Sequence, residues 1–184
     1  MKWILGGLGA IVAILLIIVS GMYIAGGGTY EYTQSTTINM PAKQVFENIT
    51  DPTLQKGWMS GVKEITPLTE GETRVGSKSK IVIDQNGTTM ELTDEVIELK
   101  KNRLLVVQLS GQPFTMTNRF ELTPVQKQTT LKQTLQCKFN GSARFAAPFM
   151  GEAIKAKMNE DLTRLRTVLE QKRETERLMK SRNR

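Results

Sequence analysis

Residues Ala143 to Gln171 read ARFAAPFMGEAIKAKMNEDLTRLRTVLEQ, and this stretch decides the fold. Met150, Ile154, Met158, Leu162, Leu165 and Leu169 recur every three or four residues, which is one apolar stripe on a helix. Lys155, Lys157, Glu160, Arg164 and Arg166 fall opposite, and Glu160-Asp161 reads as a solvated face. Ser142 is in place to cap the helix, with Pro148 able to delay regular helix until there. Upstream, from about Thr29 to Asn140, the pattern is of strands with one short helical region. One long amphipathic helix after a run of strands predicts an α+β domain, a curved antiparallel sheet closed over that helix.

Working back from the helix, the last strand is the clearest. Over Thr129 to Asn140, Leu131, Leu135, Cys137 and Phe139 face one way and Lys132, Thr134, Gln136 and Lys138 the other. Before it, Phe114, Met116, Phe120 and Leu122 alternate with Thr115, Thr117, Arg119 and Glu121. Arg103 to Ser110 is nearly continuously apolar. Thr88 to Lys100 begins with Met90 and Leu92 on one face and ends with Ile97 and Leu99 on the other, so the spacing predicts a bulge or bend near Asp94. Arg74 to Asp84 carries Ile81 and Ile83 on one face, and Asn86-Gly87 marks a hairpin turn. Tyr30 to Asn39 and Val62 to Leu68 complete seven strands. Between those two, Pro41 opens a short helix with Val45, Phe46 and Ile49 on its apolar face; it stops at Asp51-Pro52.

Trp3 to Ala25 contains no charged residue. As a helix it would be roughly 34 Å long, enough to cross a hydrocarbon core of about 30 Å. A secretory signal with Lys2 as its basic region is the competing reading, but the apolar run continues past the small residues Val19-Ser20-Gly21 through Ile24. The run is therefore expected to be a retained transmembrane anchor, with Trp3 and Tyr23 at its two interfaces. Lys2 lies on the short side and the first basic residue beyond is Lys43. That asymmetry places the N-terminus in the cytoplasm and the domain outside. The expected organisation is a single-pass cell-membrane anchor over 1–25, a flexible glycine hinge over 26–29, the domain over 30–171 and a basic tail over 172–184.

Composition excludes several functions. Of the net charge of +7, the tail from Gln171 carries +4 and Lys2 one more, leaving eighteen basic against sixteen acidic residues elsewhere. The folded part has no basic patch with interleaved aromatics, so no nucleic-acid partner is expected. There is no histidine and one cysteine, Cys137. That removes Ser-His-Asp and Cys-His nucleophilic sites and internal disulfides, and neither a cofactor nor a metal is expected. Cys137 reads as a small buried apolar residue. The tail reads as a solvated helix end or disordered segment, with a contact to anionic headgroups as the sharper alternative.

The order of elements from Tyr30 to Gln171 resembles the START-like superfamily, also called the SRPBCC or polyketide cyclase/dehydrase group. The local features that carry it are Ile38-Asn39-Met40-Pro41-Ala42-Lys43-Gln44-Val45-Phe46-Glu47-Asn48-Ile49-Thr50-Asp51-Pro52, then Trp58, Gly71 and Val75-Gly76-Ser77. The resemblance implies a helix-grip fold: a seven-stranded antiparallel sheet wrapped around the C-terminal helix, with a cavity between them for a lipid or other hydrophobic small molecule. It implies no universal catalytic residue. Trp58 falls where such domains have their cavity mouth.

Strand parity then nominates lining residues. Asn118 shares the face of Met116 and Phe120, and Gln133 that of Leu131 and Leu135. An amide on an apolar inner face costs a few kcal/mol unless hydrogen-bonded. Its partner is either a neighbouring protein group or water, or a ligand headgroup. Met90, Met116, Met150 and Met158, with Ile154 from the helix, either line an adaptable pocket or fill a solid core. Three functions are open: a membrane-anchored, non-catalytic binding protein for a hydrophobic molecule; an interaction module for a protein partner of unknown kind, with a vestigial cavity; and a cofactor-free cyclase- or hydrolase-like enzyme using Asp94 or Glu95. Both carboxylates are expected at a solvent-facing bend unless the cavity claims one.

Overall fold

The structure, a computed structural model, describes residues 2–85 and 87–182; the side chains of residues 1–13 and of Gln85 are not among those described. Met1, Asn86, Asn183 and Arg184, and the side chain of Trp3 with its expected interfacial role, lie outside the described residues. The chain runs α1 (Lys2–Ala25), β1 (Thr29–Ile38), α2 (Ala42–Thr50), α3 (Pro52–Gln55), β2 (Val62–Pro67), β3 (Lys78–Gln85), β4 (Thr88–Lys100), β5 (Leu104–Gly111), β6 (Phe114–Val125), β7 (Gln128–Phe139), two short 3-10 turns (Gly141–Phe145 and Ala147–Phe149) and α4 (Gly151–Arg182). The seven strands form one antiparallel sheet in the order β1-β7-β6-β5-β4-β3-β2. Every hairpin from β2 to β7 joins sheet neighbours, and β1 closes the row against β7. With the long helix, this is the α+β architecture expected.

α4 lies along β1. At its start, a Cβ on Gly151 would touch the Tyr32 ring at 3.4 Å. Farther on, Glu170 accepts from the Asn39 backbone N–H at 3.1 Å, and Arg173 donates to the Asn39 carbonyl. Met158, Leu162, Leu165 and Leu169 are buried against the sheet. The helix differs from expectation at both ends. It begins at Gly151 because Pro148 and the two 3-10 turns hold residues 141–149 out of regular helix, and Ser142 caps nothing. It continues to Arg182, so the basic tail is helical and projects from the end of the sheet at Asn39, not from the end where α1 enters.

Asp161 corrects the sequence reading: it is buried. It falls three residues after Met158 and one before Leu162, inside the inward stripe. Its Oδ1 accepts from the Ser60 N–H and hydroxyl, both at 2.8 Å, while Lys157 neutralises Oδ2.

A second correction concerns β4. The register shift lies between Val96 and Glu98, not at Asp94. Strict alternation therefore carries Met90, Leu92, Asp94 and Val96 to one face, and Asp94 points inward. Across the pair, Ser79 opposes Asp94, and it too is buried, on the face of Ile81. β3 itself starts at Lys78, since Gly76 at φ +85° turns the chain just before it.

Two apolar clusters fill the grip. The larger gathers Ile38, Val45, Ile49, Trp58, Leu92, Leu131, Leu165 and their neighbours beneath α2. The smaller, at the end where α1 enters, holds Tyr32, Leu135, Cys137, Phe139, Ala147 and Met158.

Gly26–Gly28, expected as a hinge, instead form a packed turn that ends α1. The Gly26 N–H donates to the Met22 carbonyl, and a Cβ there would lie 1.7 Å from the Arg144 carbonyl oxygen. Only glycine permits that approach. Among the residues whose side chains are described, which leave out the first half of α1, no helix is long and apolar enough to cross a membrane. In the described half of α1, Ile14 to Val19 and Ile24 are all exposed.

Candidate functional site

The site lies under α2 and α3, and the parity of β3, β4, β6 and β7 brings Ser79, Asp94, Asn118 and Gln133 to it. Asp51 ends α2 and starts α3, its Oδ1 accepting from the Thr53 N–H at 2.8 Å and hydroxyl at 2.7 Å. This pins the chain reversal that forms one lip of a cleft of about 200 Å³. The loop from Thr69 to Ser77 forms the other lip. The floor is Asp94, Val96, Leu105 and Val107.

Behind the floor is an inner chamber of about 50 Å³. Ile49, Gln55, Asp94, Leu105 and Val107 line both spaces, so the chamber is the deep end of the cleft. Its walls are mostly apolar: Trp58, Ile81, Leu109 and Phe120 among them. Trp58 stands edge-on to Phe120, ring centroids 6.4 Å apart, and its Nε1 donates to the Asn48 carbonyl at 3.2 Å. Gln55 is likewise satisfied, its Nε2 donating to the Ile49 carbonyl at 2.8 Å.

Against this apolar lining stand Asp94, Asn118 and Gln133, together with Asp161, which Ser60 and Lys157 already satisfy. Gln133 Nε2 donates to Asn118 Oδ1 at 3.1 Å. Its Oε1 and the Oδ1 of Asp94 are buried and have no hydrogen-bond partner among the described residues. Gln133 is 6% exposed and Asp94 8%. Burial pushes the Asp94 carboxyl above its usual range; hydrogen bonding from Ser79 only partly offsets this. Such a carboxyl takes up a proton more readily than one in water.

Of the expected lining residues, the structure brings together Trp58, Asn118 and Gln133 at the chamber. Leu131 is fully buried in the larger cluster, and Met90 packs against it. Leu135 and Met158 belong to the smaller cluster; Ile154 packs against it, and Met116 against both. Met150 lies on the surface, before α4 begins. Sequence reasoning missed Ser79, Gln55 and Asp161, which also lines the chamber, and it expected Asp94 at a solvent-facing bend unless the cavity claimed it. For Ser79 and Asp94 the signal was parity with Ile81 and Leu92. For Gln55 there was none, because it depends on how α3 folds back over Ile49. Cys137 is buried, its thiol pushed up to about 11 by desolvation, so it is a neutral core group. Among the described residues no three metal-binding side chains come together. The site can receive apolar surface, and it offers two buried acceptors to a donor.

A family model described as polyketide cyclase / dehydrase and lipid transport matches residues 29–170. No curated protein matches the chain. Among solved structures it is similar to a START superfamily protein from Mycobacterium smegmatis: 16% identity, TM-score 0.68, over 78% of this chain and 99% of that one. It is also similar to an aromatase/cyclase from Streptomyces: 15% identity, TM-score 0.65, over 78% of this chain and 94% of that one. A protein of unknown function from Staphylococcus aureus is similar at 14% identity, TM-score 0.63, over 80% and 97%. At these identities the likeness shows the fold.

Proposed function

Because the chain belongs to the polyketide cyclase/dehydrase and lipid transport family, we propose that it is a membrane-anchored, non-catalytic binding protein for a small hydrophobic molecule. The molecule enters under α2 and α3, and its polar end reaches the chamber between sheet and α4. The observation that carries this reading is the pair of buried acceptors without partners among the described residues, Asp94 Oδ1 and Gln133 Oε1, in a mostly apolar chamber whose other polar side chains, Gln55, Asn118 and Asp161, are hydrogen-bonded within the protein. Leaving such groups unmatched costs about 1–3 kcal/mol each. A ligand hydroxyl or amine would recover that cost while its apolar part gains roughly 25 cal/mol per Å² buried. Cleft and chamber are small beside the roughly 300–1,000 Å³ of drug-sized sites. The ligand is therefore compact, or only one end of it goes in.

The anchor is the run from Trp3 to Ala25, without a charge, continuous with the helix α1. Lys2 on its short side, with the next basic residue only at Lys43, supports a domain on the non-cytoplasmic face. Native mass spectrometry of the full chain, released from its membrane and extracted with organic solvent, tests the binding reading. An extra apolar mass carrying a hydroxyl or amine is expected; a chain that stays unliganded after soaking with lipid and sterol mixtures would refute it.

One observation favours a second reading. Asp94 is a cavity carboxyl with a raised affinity for protons, as acid/base catalysis requires. Asp94→Asn separates the two: an enzyme loses turnover of its ligand, whereas a binding protein keeps its ligand unchanged chemically in both forms.

A further inference from the structure

The cleft mouth and the end of α1 lie at opposite ends of the sheet. β1 starts beside α1, with Thr29 opposite Lys138, and runs to Ile38, after which the chain enters α2 and the lips of the cleft. Ten residues of strand separate the two by about 33 Å.

At the α1 end, the turn Gly141–Met150 is clamped to the helix. The Tyr23 ring meets the Phe145 ring at a 5.3 Å centroid distance, and the Arg144 guanidinium sits 4.7 Å from the Tyr23 centroid. Gly26 seats against the Arg144 backbone, so the join is closely packed. Tyr30 adds a bond from its hydroxyl to the Ala25 carbonyl at 2.9 Å.

The same turn leaves Phe149 73% exposed, with Pro148 and Met150 beside it also exposed. From Gly141 to Gly151 there is no acidic residue and one cation, Arg144. Aromatic rings beside arginine, next to an apolar helix end, suit the boundary between headgroups and acyl chains.

We infer that the turn Gly141–Met150 is a foot on the bilayer surface. Phe149 inserts beside the end of α1 and holds the domain upright, with the cleft mouth facing away from that membrane. This rests on the anchor reading above. A tether with this foot does not load ligand directly from its own bilayer; the mouth is presented to a donor or acceptor carried in solution or on an opposing surface. The basic end of α4 projects from the same far end and does not touch the anchoring membrane.

The test uses the full chain in phosphatidylcholine/phosphatidylglycerol vesicles. An environment-sensitive dye is placed at Phe149→Cys, or at Val125→Cys in the β6–β7 hairpin at the opposite end, and quenched by lipids carrying shallow spin labels. The unsubstituted chain measures any labelling of buried Cys137. Flotation with the vesicles reports the anchor independently. In floating protein, quenching at position 149 is expected to exceed that at 125 several-fold, with a blue-shifted emission. Equal, water-like signals in protein that floats would overturn the foot and leave the anchor. Protein that fails to float would overturn the anchor, and the foot with it.

Discussion

The two ends of the grip are built from the same sheet and helix yet hold different interiors. At the α1 end, Tyr32, Leu135, Cys137, Phe139 and Met158 close on one another, and the residues of that cluster line neither cleft nor chamber. At the α2 end, the apolar wall is interrupted by Gln55, Asp94, Asn118, Gln133 and Asp161, and space remains. The difference teaches where a ligand can go. Hydrophobic parity alone marks both ends as candidate pocket; buried polar atoms without partners single out one. A solid end fixes the fold, and the other end can then carry polar groups whose cost a guest recovers.

Substitutions sharpen this contrast. The largest effect is expected at the solid end. Met158→Ala removes a side chain 2% exposed in the smaller cluster and should cost about 2–5 kcal/mol, read by chemical denaturation. Leu109→Ala, beside the chamber, should fall at the low end of that range, because space already adjoins it. Equal losses at the two sites would erase the distinction. Next is Asp161→Ala, which strips the Ser60 N–H and hydroxyl of their acceptor and leaves Lys157 unpaired, at about 1–3 kcal/mol.

A smaller effect, of opposite sign, is expected at Asp94. Its folded-state proton affinity is raised above the ordinary value of 3.8, mainly by burial. The folded chain then binds the proton more tightly than the unfolded chain, so stability falls as pH rises from that value through the raised one. Asp94→Asn should flatten this slope and add on the order of 1 kcal/mol near neutral pH. Thermal melts of the two chains from pH 4 to 8 check it; a natural chain that gains stability over the rise, relative to Asp94→Asn, would contradict the burial of this carboxyl.

Much of this architecture could be read from periodicity. β7 alternates in burial from Thr129 to Phe139 and the α4 stripe is regular from Met158 to Leu169, so their burial followed from the sequence, whereas in β6 only Phe120 and Leu122 are buried. The errors came where one residue shifts a phase. Ile97 and Leu99 showed that β4 changes face, but not where. Placing the shift at Asp94 turned that carboxyl outward, whereas the shift after Val96 keeps it inside. Asp161 was assigned to solvent on its charge, although its position in the inward stripe argued otherwise; Ser60, a hundred residues away in sequence, is what makes burial affordable. Met150 continued the stripe on paper, but Pro148 and the 3-10 turns leave it outside the helix. The chamber itself depends on α3 folding back so that Gln55 reaches the Ile49 carbonyl, a tertiary event with no local signature. The packed glycine turn after α1 was hidden likewise, since its partner is the Arg144 backbone.

The central claim is that the polar end of the grip binds a donor-bearing apolar molecule. Its most direct test is a titration of the full chain with a pair of ligands of equal chain length, a primary alcohol and the corresponding carboxylate, at pH 7. The account predicts that the alcohol binds at least about tenfold more tightly, the equivalent of one 1.4 kcal/mol interaction. It predicts further that Val107→Phe, which fills the floor shared by cleft and chamber, abolishes binding in a chain that still melts cooperatively. Equal affinity for the two ligands, or alcohol binding that survives Val107→Phe, would contradict it.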